Sequence, residues 1–518
     1  MLTYSYLCTL KVKMKRSIYN NKVRVIRRVL LTLAFLLTLA PVSAKVRIML
    51  ISDPHVMAPE LLISKGEAWD NAIYYDRKLN DYSQAIYDEA IAIALREKPD
   101  LFLISGDLTK DGELLSHQYV VKKLYELKEA GIPAFVIPGN HDMGTVNANY
   151  YDGPDLYAAE IINTSLFAEI YKDFGYGDDI DREPTTLTWC CEPIDGLVLI
   201  GIDTGHDYDL LNGVITETTL SWVCERAEAA TMAGKQVLVM MHHTLFPHVT
   251  YAELFSSTYA VKHGVSNGMG AYDYYSYANV RNRLASAGVG VVFSGHVHAS
   301  DIAKDANHDL TRTIHDICTA TCDAYPNPYR LFTLNDDNTM SIRTHYITEL
   351  PGVEDFATLA EERMTIGLKN LVYQSSHNEE VASLFAEIFK VHVAGNEPED
   401  PRCQDFLKTY EEYLPQMKQD QQVINYLSIH GVSFEQMTQM VHSMLEAKSN
   451  YGDPERESLD DDLNTTIPIR ADGWTAIKGV EAGDKRQETG WYTLQGLKVT
   501  KPSQKGIYIH NGKLSVVK

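Results

Sequence analysis

Residues 134–142, Ala-Phe-Val-Ile-Pro-Gly-Asn-His-Asp, hold the pattern that decides how this chain folds. Ala134-Phe135-Val136 is a short apolar run with a β-branched residue, which reads as a buried strand. Pro138-Gly139 breaks the strand, and the turn that follows presents Asn140, His141 and Asp142. The same order recurs four more times. Arg47–Ser52 runs into Asp53-Pro54-His55, and Asp100–Ser105 runs into Gly106-Asp107. Gln236–Met241 runs into His242-His243, and Val289–Ser294 runs into Gly295-His296-Val297-His298. Strands apolar on both faces belong to sheets covered by helices. Ligands in such folds gather at the carboxyl ends of the strands. Five separate places therefore deliver His, Asp and Asn side chains to one rim. One Asp-x-His or Gly-His-x-His alone is more often a hydrogen-bonded turn; five in the same strand-end context are poorly explained that way.

The succession Asp-x-His, Gly-Asp, Gly-Asn-His-Asp, His, Gly-His-x-His resembles that of the calcineurin-like metallophosphoesterase superfamily. The blocks span residues 45 to about 345. The resemblance implies an α/β fold, a four-layer α-β-β-α sandwich of two mixed sheets flanked by helices. It also implies two metal ions. By residue-wise carry-over, Asp53, His55 and His298 hold one metal with Asp107, and Asn140, His242 and His296 hold the other, with Asp107 bridging. The family pattern after the fourth strand is His-x-Pro, with the first His on the metal. Here Pro is displaced to Pro247, so His242 is assigned to the metal and His243 to the substrate. Asn140 and His141 are substrate contacts, and His141 is the candidate general acid, a task suited to imidazole. Asp142 has two readings: it orients His141 through a ring N–H, or it caps the turn.

Phosphate esters resist hydrolysis because their anionic oxygens repel a nucleophile. Two cations a few Å apart neutralise that charge and acidify a shared water. Oxygen ligands mixed with imidazole suit divalent or trivalent Fe, Mn or Zn without choosing among them. The implied activity is hydrolysis of a small phosphate ester, with a phosphodiester favoured. A phosphomonoesterase on the same site, or a phosphate-ligand-binding protein without turnover, are the alternatives.

The chain of 518 residues exceeds one ordinary domain, and 45% hydrophobic residues suffice for a sizeable core. Residues 24–44 read as a secretory signal. Arg24, Arg27 and Arg28 precede an apolar stretch, Val29–Leu39, too short to span a bilayer comfortably, and Val42-Ser43-Ala44 suits cleavage. Met14-Lys15-Arg16 would begin a more ordinary signal than Met1. The expected location is exported: periplasm, cell surface or medium, with no transmembrane segment after cleavage. Without residues 1–44 the chain has 39 Lys and Arg against 69 Asp and Glu, net −30. Such a charge repels nucleic-acid backbones, so no nucleic-acid polymer is expected as partner. Six Cys after residue 44 are no disulfide scaffold, though Cys318 and Cys322 are close enough in sequence to pair.

Between the ligand blocks, helices are expected over Asp81–Lys98, from Leu114 to a cap at Gly131, and from Thr216 to Gly234. Residues 143–186 and 246–277 are long Tyr-rich loops, candidate substrate walls or surface packing. The segments Thr313–Thr319, Tyr329–Leu334 and Met340–Tyr346 read as strands closing the second sheet. The catalytic domain is thus expected over 45–350. Residues 351–450 follow helical spacing, with a capping box at Ser433 and Gln436 and a Met-rich face that reads as core rather than groove. This region resembles the helical domain of some bacterial cyclic-nucleotide phosphodiesterase-like members of the superfamily. A polar linker, 451–465, precedes a small β module, 466–518, with a tight turn at Asn511-Gly512. The tail resembles sorting modules of proteins moved across the outer membrane of some Gram-negative bacteria, which makes that secretion machinery the expected partner.

Overall fold

A computed structural model describes residues 45–205, 212–251, 258–268, 271–308, 311–395, 400–445 and 461–470, with short strands at 457–458, 491–492, 498–499, 506–510 and 513–517. The expected signal segment, most of the linker and the Asn511-Gly512 turn lie outside the described residues. Two sheets carry the fold. The first has the spatial order Thr466–Pro468, Thr339–Tyr346, Pro328–Leu334, Arg47–Ile51, Leu101–Ile104, Ala134–Val136. The second has eight strands, with Asp301–Ala306, Thr313–Cys318, Val291–Ser294, Gln236–Met241, Leu197–Ile202 and Trp189–Ile194 adjacent in that order.

Period-2 alternation builds the layers. Leu199, Leu238, Met240, Val291 and Phe293 point into the core shared by the two sheets. Their neighbours Val198, Ile200, Val237, Val239, Met241 and Val292 belong to the core under the outer helices. Phe293 of the second sheet meets Phe332 of the first, ring centroids 4.8 Å apart. Helices α1 (Ser83–Glu97) and α2 (Leu114–Glu129) flank the first sheet; α3 (Glu217–Met232) and α4 (Tyr277–Ser286) flank the second. The result is the four-layer α-β-β-α sandwich. Thr216 caps α3 by accepting from the Thr219 amide.

The functional consequence lies in strand direction. Arg47–Ile51, Leu101–Ile104 and Ala134–Val136 are mutually parallel. So are Leu197–Ile202, Gln236–Met241 and Val291–Ser294. All five ligand-bearing strands therefore end at one edge of the sandwich, three in one sheet and two in the other.

Several expectations are corrected. Pro328–Leu334 and Thr339–Tyr346 close the first sheet, not the second: the former pairs antiparallel with Arg47–Ile51. Alternation identifies a strand but not its partner. The boundary at 465/466 also moves. Thr466–Pro468 pairs with Thr339–Ser341, Glu457–Ser458 pairs with Ala303 and Lys304, and Ile467 and Ile469 are buried in the first core. Part of the expected linker and the start of the expected β module thus complete the sandwich. A separate four-stranded antiparallel sheet forms within 491–517. Phe167, Tyr171, Phe174 and Tyr176 of the first long loop are buried, so much of it is core packing. All six cysteines after residue 44 are free thiols, Cys318 and Cys322 among them.

Between residues 356 and 445 lie α5 (Phe356–Ser376), α6 (Glu379–Ala394), α7 (Pro401–Met417), α8 (Gln421–Ile429) and α9 (Phe434–Leu445). The capping box of α9 is formed, with Gln436 N to Ser433 Oγ at 3.1 Å and Ser433 N to Gln436 Oε1 at 2.9 Å. No helix among the described residues is long and apolar enough to cross a membrane.

A buried ion triad braces the second sheet. His248 lies between Asp301 (Nδ1 to Oδ1, 3.0 Å) and Asp316 (Nε2 to Oδ2, 3.1 Å). Burial opposes the charge on His248, but the two carboxylates outweigh it and its pKa is pushed up to about 10. A pKa raised on folding stabilises fully below the unfolded value of about 6.5, and that contribution is lost as pH rises through the folded value. The melting temperature of the protein should therefore decline from pH 6.5 towards pH 10. His248→Ala should remove that slope and destabilise by about 3–5 kcal/mol at neutral pH, since one partner of a buried pair is lost. Thermal unfolding across that range checks both.

Candidate metal centre

Backbone hydrogen bonds join the strand-end loops. Asp53 N donates to Gly106 O at 3.2 Å, His55 N to Asp107 O at 3.0 Å, and Gly295 N to His242 O at 2.9 Å. Asp53, His55, Asp107, His296 and His298 all take positive φ, between 40° and 68°. Left-handed backbone is costly for residues with a Cβ, and such strain concentrates at functional sites. Two glycines permit the close approach of the loops. A Cβ on Gly139 would collide with the Asp107 backbone and carboxylate, and one on Gly295 with Ser52 and the Asp53 carboxylate.

Asp53, His55, Asp107 and His298 each offer a ligand atom, and these atoms lie within 4.8 Å of one another. His55 Nε2 and His298 Nε2 face each other at 3.2 Å. His298 Nε2 lies 3.3 Å from Asp53 Oδ1, and His55 Nε2 lies 3.6 Å from Asp107 Oδ2. Beside this group, His242 Nε2 lies 3.2 Å from the same Asp107 Oδ2 and 3.1 Å from Asn140 Oδ1. The His296 ring is next, 5.2 Å from that of His242 between centroids, and its backbone N–H donates to Asp53 Oδ1 at 3.1 Å. The seven residues expected as ligands thus form two adjoining groups about Asp107.

The residues fit metal ions. Burial holds the pKa of His55 well below the ordinary histidine value, lowers that of His298, and pushes that of His296 down to about 3. Neutral imidazoles have the lone pair a metal needs. His242 Nδ1 lies 3.0 Å from Ser105 O, a carbonyl that can only accept, so Nδ1 carries a proton and Nε2 faces Asp107 and Asn140. Burial opposes the charge on His242, but Asp107 and Asp53 outweigh it and push its pKa up to about 9, so a metal would take the place of its second proton. Lone pairs from two imidazoles and two carboxylates converging in a dry pocket repel one another unless a cation lies among them.

His141, 31% exposed at its side chain, faces the rim 4.8 Å from the His55 ring. Its orienting carboxylate is not Asp142. His141 Nδ1 lies 2.8 Å from Lys110 O and 3.0 Å from Asp111 Oδ1. Asp142 instead points inward and accepts from Gly139 N (2.8 Å), Leu108 N (3.1 Å), Thr109 N (2.9 Å) and Thr109 Oγ1 (3.0 Å). With its acceptor sites taken by these donors, it is a structural cap tying the Asn140 turn to the Asp107 turn. Burial works against the Asp111 charge, but His141 and Lys110 bring its pKa down to about 2, so it is ionised. Burial also works against protonation of His141, yet Asp107 and Asp111 raise its pKa above the ordinary value.

His243 does not reach the rim surface. It is fully buried, its Nδ1 is 2.9 Å from Thr204 Oγ1, and its ring lies tilted against that of His296, 4.2 Å between centroids. That position supports the shell and corrects the reading of His243 as a substrate contact. Two cations escaped the sequence reading. Arg77 and Lys78 have no hydrogen bond or ion pair from their side chains among the described residues, yet Lys78 exerts its charge on His55, His141 and His298, and Arg77 on His298. Only their lying between the first ligand block and α1 hinted at a role. For Asp111, the hint was a carboxylate four residues beyond Asp107 in the same loop.

No curated protein matches the sequence. Among solved structures, a dimetal phosphatase from Danio rerio aligns at 13% identity and TM-score 0.40, over 58% of this chain and 96% of its own. A purple acid phosphatase from yellow lupin (Lupinus luteus) seeds aligns at 11% identity and TM-score 0.34, over 59% of this chain and 52% of its own. The family model for calcineurin-like phosphoesterases matches residues 46–300, the span that holds all the expected ligands. Residues 46–300 of this chain are a calcineurin-like phosphoesterase domain.

Proposed function

We propose that the protein is an exported, dinuclear metal-dependent phosphoesterase that prefers phosphodiesters. The observation that carries this reading is the position of Asp107 Oδ2, within 3.6 Å of His55 Nε2 in one ligand group and 3.2 Å of His242 Nε2 in the other. One carboxylate facing two sets of imidazoles is what a shared pair of cations requires. When bound, such a pair supplies charge neutralisation and an acidified water.

The remaining work falls to the chain. Asn140 and His141 meet the ester on the exposed side of the rim. Lys110 O and Asp111 hold Nδ1–H of His141, which leaves Nε2 to carry the proton to the departing oxygen. Arg77 and Lys78 offer positive charge to the non-bridging phosphate oxygens. The helical region behind the rim favours a substrate with two substituents, since it supplies walls beyond the metal groups. The charged and apolar pattern of residues 24–44 supports export, and the tail within 491–517 supports passage through outer-membrane secretion machinery. Cell fractionation with and without the tail tests the latter; retention of both forms at the same site would refute it.

Bis-p-nitrophenyl phosphate should be hydrolysed with a higher kcat/KM than p-nitrophenyl phosphate by Mn-loaded protein; the reverse order makes the enzyme a monoesterase. Asp107→Ala should empty both metal positions and abolish turnover. His141→Ala should retain the metals and lower kcat by about 10²–10⁴. Elemental analysis alongside the kinetics separates the two, and equal metal content in both variants would sink the roles assigned here.

A further inference from the structure

Behind the metal rim lies a cavity of about 360 Å³ that neither the ligand set nor the sandwich cores account for. Its far walls come from the helical region: Leu368 and Val372 of α5, Phe389 of α6 and Met440 of α9. Its near wall is the rim itself, through Val297 and Arg77. Val297 is the residue between the ligands His296 and His298, so the cavity and the metal centre share one loop. Close-packed interiors hold few voids larger than a water molecule, and an unfilled apolar cavity destabilises the fold around it. A space this large, almost wholly apolar in its lining and beginning at a catalytic loop, has the character of a binding site.

The chemistry at its two ends differs. Arg77, with no hydrogen bond or ion pair from its guanidinium among the described residues, marks the rim end. Gly367 of α5 fixes the approach there, since a Cβ on it would collide with the backbone of Asp76 and Arg77. The far end is built of Leu, Val, Phe and flexible Met side chains, which adapt to an alkyl chain of varied shape. The Met-rich face of α9 is therefore both core, as expected, and cavity wall: Met437, Met440 and Met444 are buried and line it.

We propose that the substrate is an amphiphilic phosphate ester whose alkyl or acyl chain lies in this cavity while its phosphate sits between Arg77 and the metal groups. The inference rests on the phosphoesterase reading for the phosphate end alone. Since about 10–15 Å³ of such cavity volume accommodates one water-sized group, the cavity takes a chain of at least on the order of a dozen heavy atoms. Each methylene buried is worth about 0.8 kcal/mol, or about fourfold.

The test uses p-nitrophenyl alkyl phosphate diesters with ethyl, hexyl and dodecyl chains, kept below micelle formation, on metal-replete full-length protein. The value of kcat/KM should climb by up to about fourfold per methylene until the cavity is full. Calorimetry provides a readout without turnover: dodecylphosphonate should bind at least a hundredfold more tightly than methylphosphonate. Leu368→Trp and Val372→Trp each narrow the cavity and should cut the dodecyl-to-ethyl ratio by at least tenfold in whichever variant retains the wild-type circular dichroism spectrum. A flat chain-length profile in the wild type, together with equal binding of the two phosphonates, overturns the proposal while leaving the phosphoesterase reading intact. A chain-length dependence unchanged in a folded Trp variant overturns it as well. Tight, chain-dependent phosphonate binding without hydrolysis of any ester supports the cavity assignment and removes the phosphoesterase reading instead.

Discussion

Two buried carboxylates, Asp53 and Asp107, share a pocket with a ring of imidazoles, of which burial lowers the pKa of His55, His296 and His298 while the carboxylates raise that of His242, and this convergence governs the rest of the site. Burial alone would protonate Asp107, yet His242 and His141 hold its pKa well below the usual carboxylate range. The backbone adds to the cost. Five ligand residues take left-handed φ, at roughly 1–3 kcal/mol each. Such an arrangement persists only where the surrounding structure over-determines it. Here the parallel strands do so: each ligand lies in the loop that leaves a largely buried strand of the two cores. A cation bound among these ligands would offset part of that cost, which would couple the fold to metal affinity.

That coupling explains which parts were legible in the sequence. A strand buried on both faces is a continuous apolar run, and a ligand at its end is a polar residue directly after it. Both are local, so the strand ends could be read as delivering His, Asp and Asn side chains to one rim, while the choice of Asp53, His55, Asp107, Asn140, His242, His296 and His298 among them came from the family resemblance. The partner of each residue across the rim is not local. Asp142 follows His141 in sequence but points into the turn, where backbone N–H groups of residues 108, 109 and 139 claim it. Asp111, thirty positions away, orients the imidazole instead. The same blindness put Pro328–Leu334 in the wrong sheet and hid Arg77 and Lys78, because neither a strand's partner nor the proximity of a charge to a distant site leaves a periodic trace.

The five helices between residues 356 and 445 occupy an interval that the sequence alone presents as a separate unit. The strands on either side of them tell otherwise. Thr339–Tyr346 precedes the helices and pairs with Thr466–Pro468, which follows them. Glu457–Ser458 joins the other sheet on the way back. Both ends of the helical excursion are therefore anchored in the sandwich that carries the ligands. Further ties reach the rim: Ser300 N donates to Val393 O at 3.1 Å, and Thr250 N to Ser443 Oγ at 3.0 Å. Helices held at both ends and along the rim keep a fixed distance from the metal groups, which a merely tethered domain would not. That constancy is what allows a cavity between them to have a defined size.

The His248 triad belongs to the same logic. His242 stands at the head of the loop that contains His248, and Asp301 follows the ligand His298 by three positions. Asp316 completes the connection by accepting from Leu245 N at 2.6 Å and from Ser294 Oγ at 2.7 Å, the latter at the end of the strand that leads into His296. One protonated histidine thus ties the fourth ligand loop to the fifth without touching either metal group. Replacing the triad with apolar side chains could preserve packing, since a buried ion pair is weak evidence for stability. It would not preserve the directional bonds that join the loop after His242 to the strand that leads into His296. The buried charge is better understood as fixing the geometry of the centre than as stabilising the sandwich.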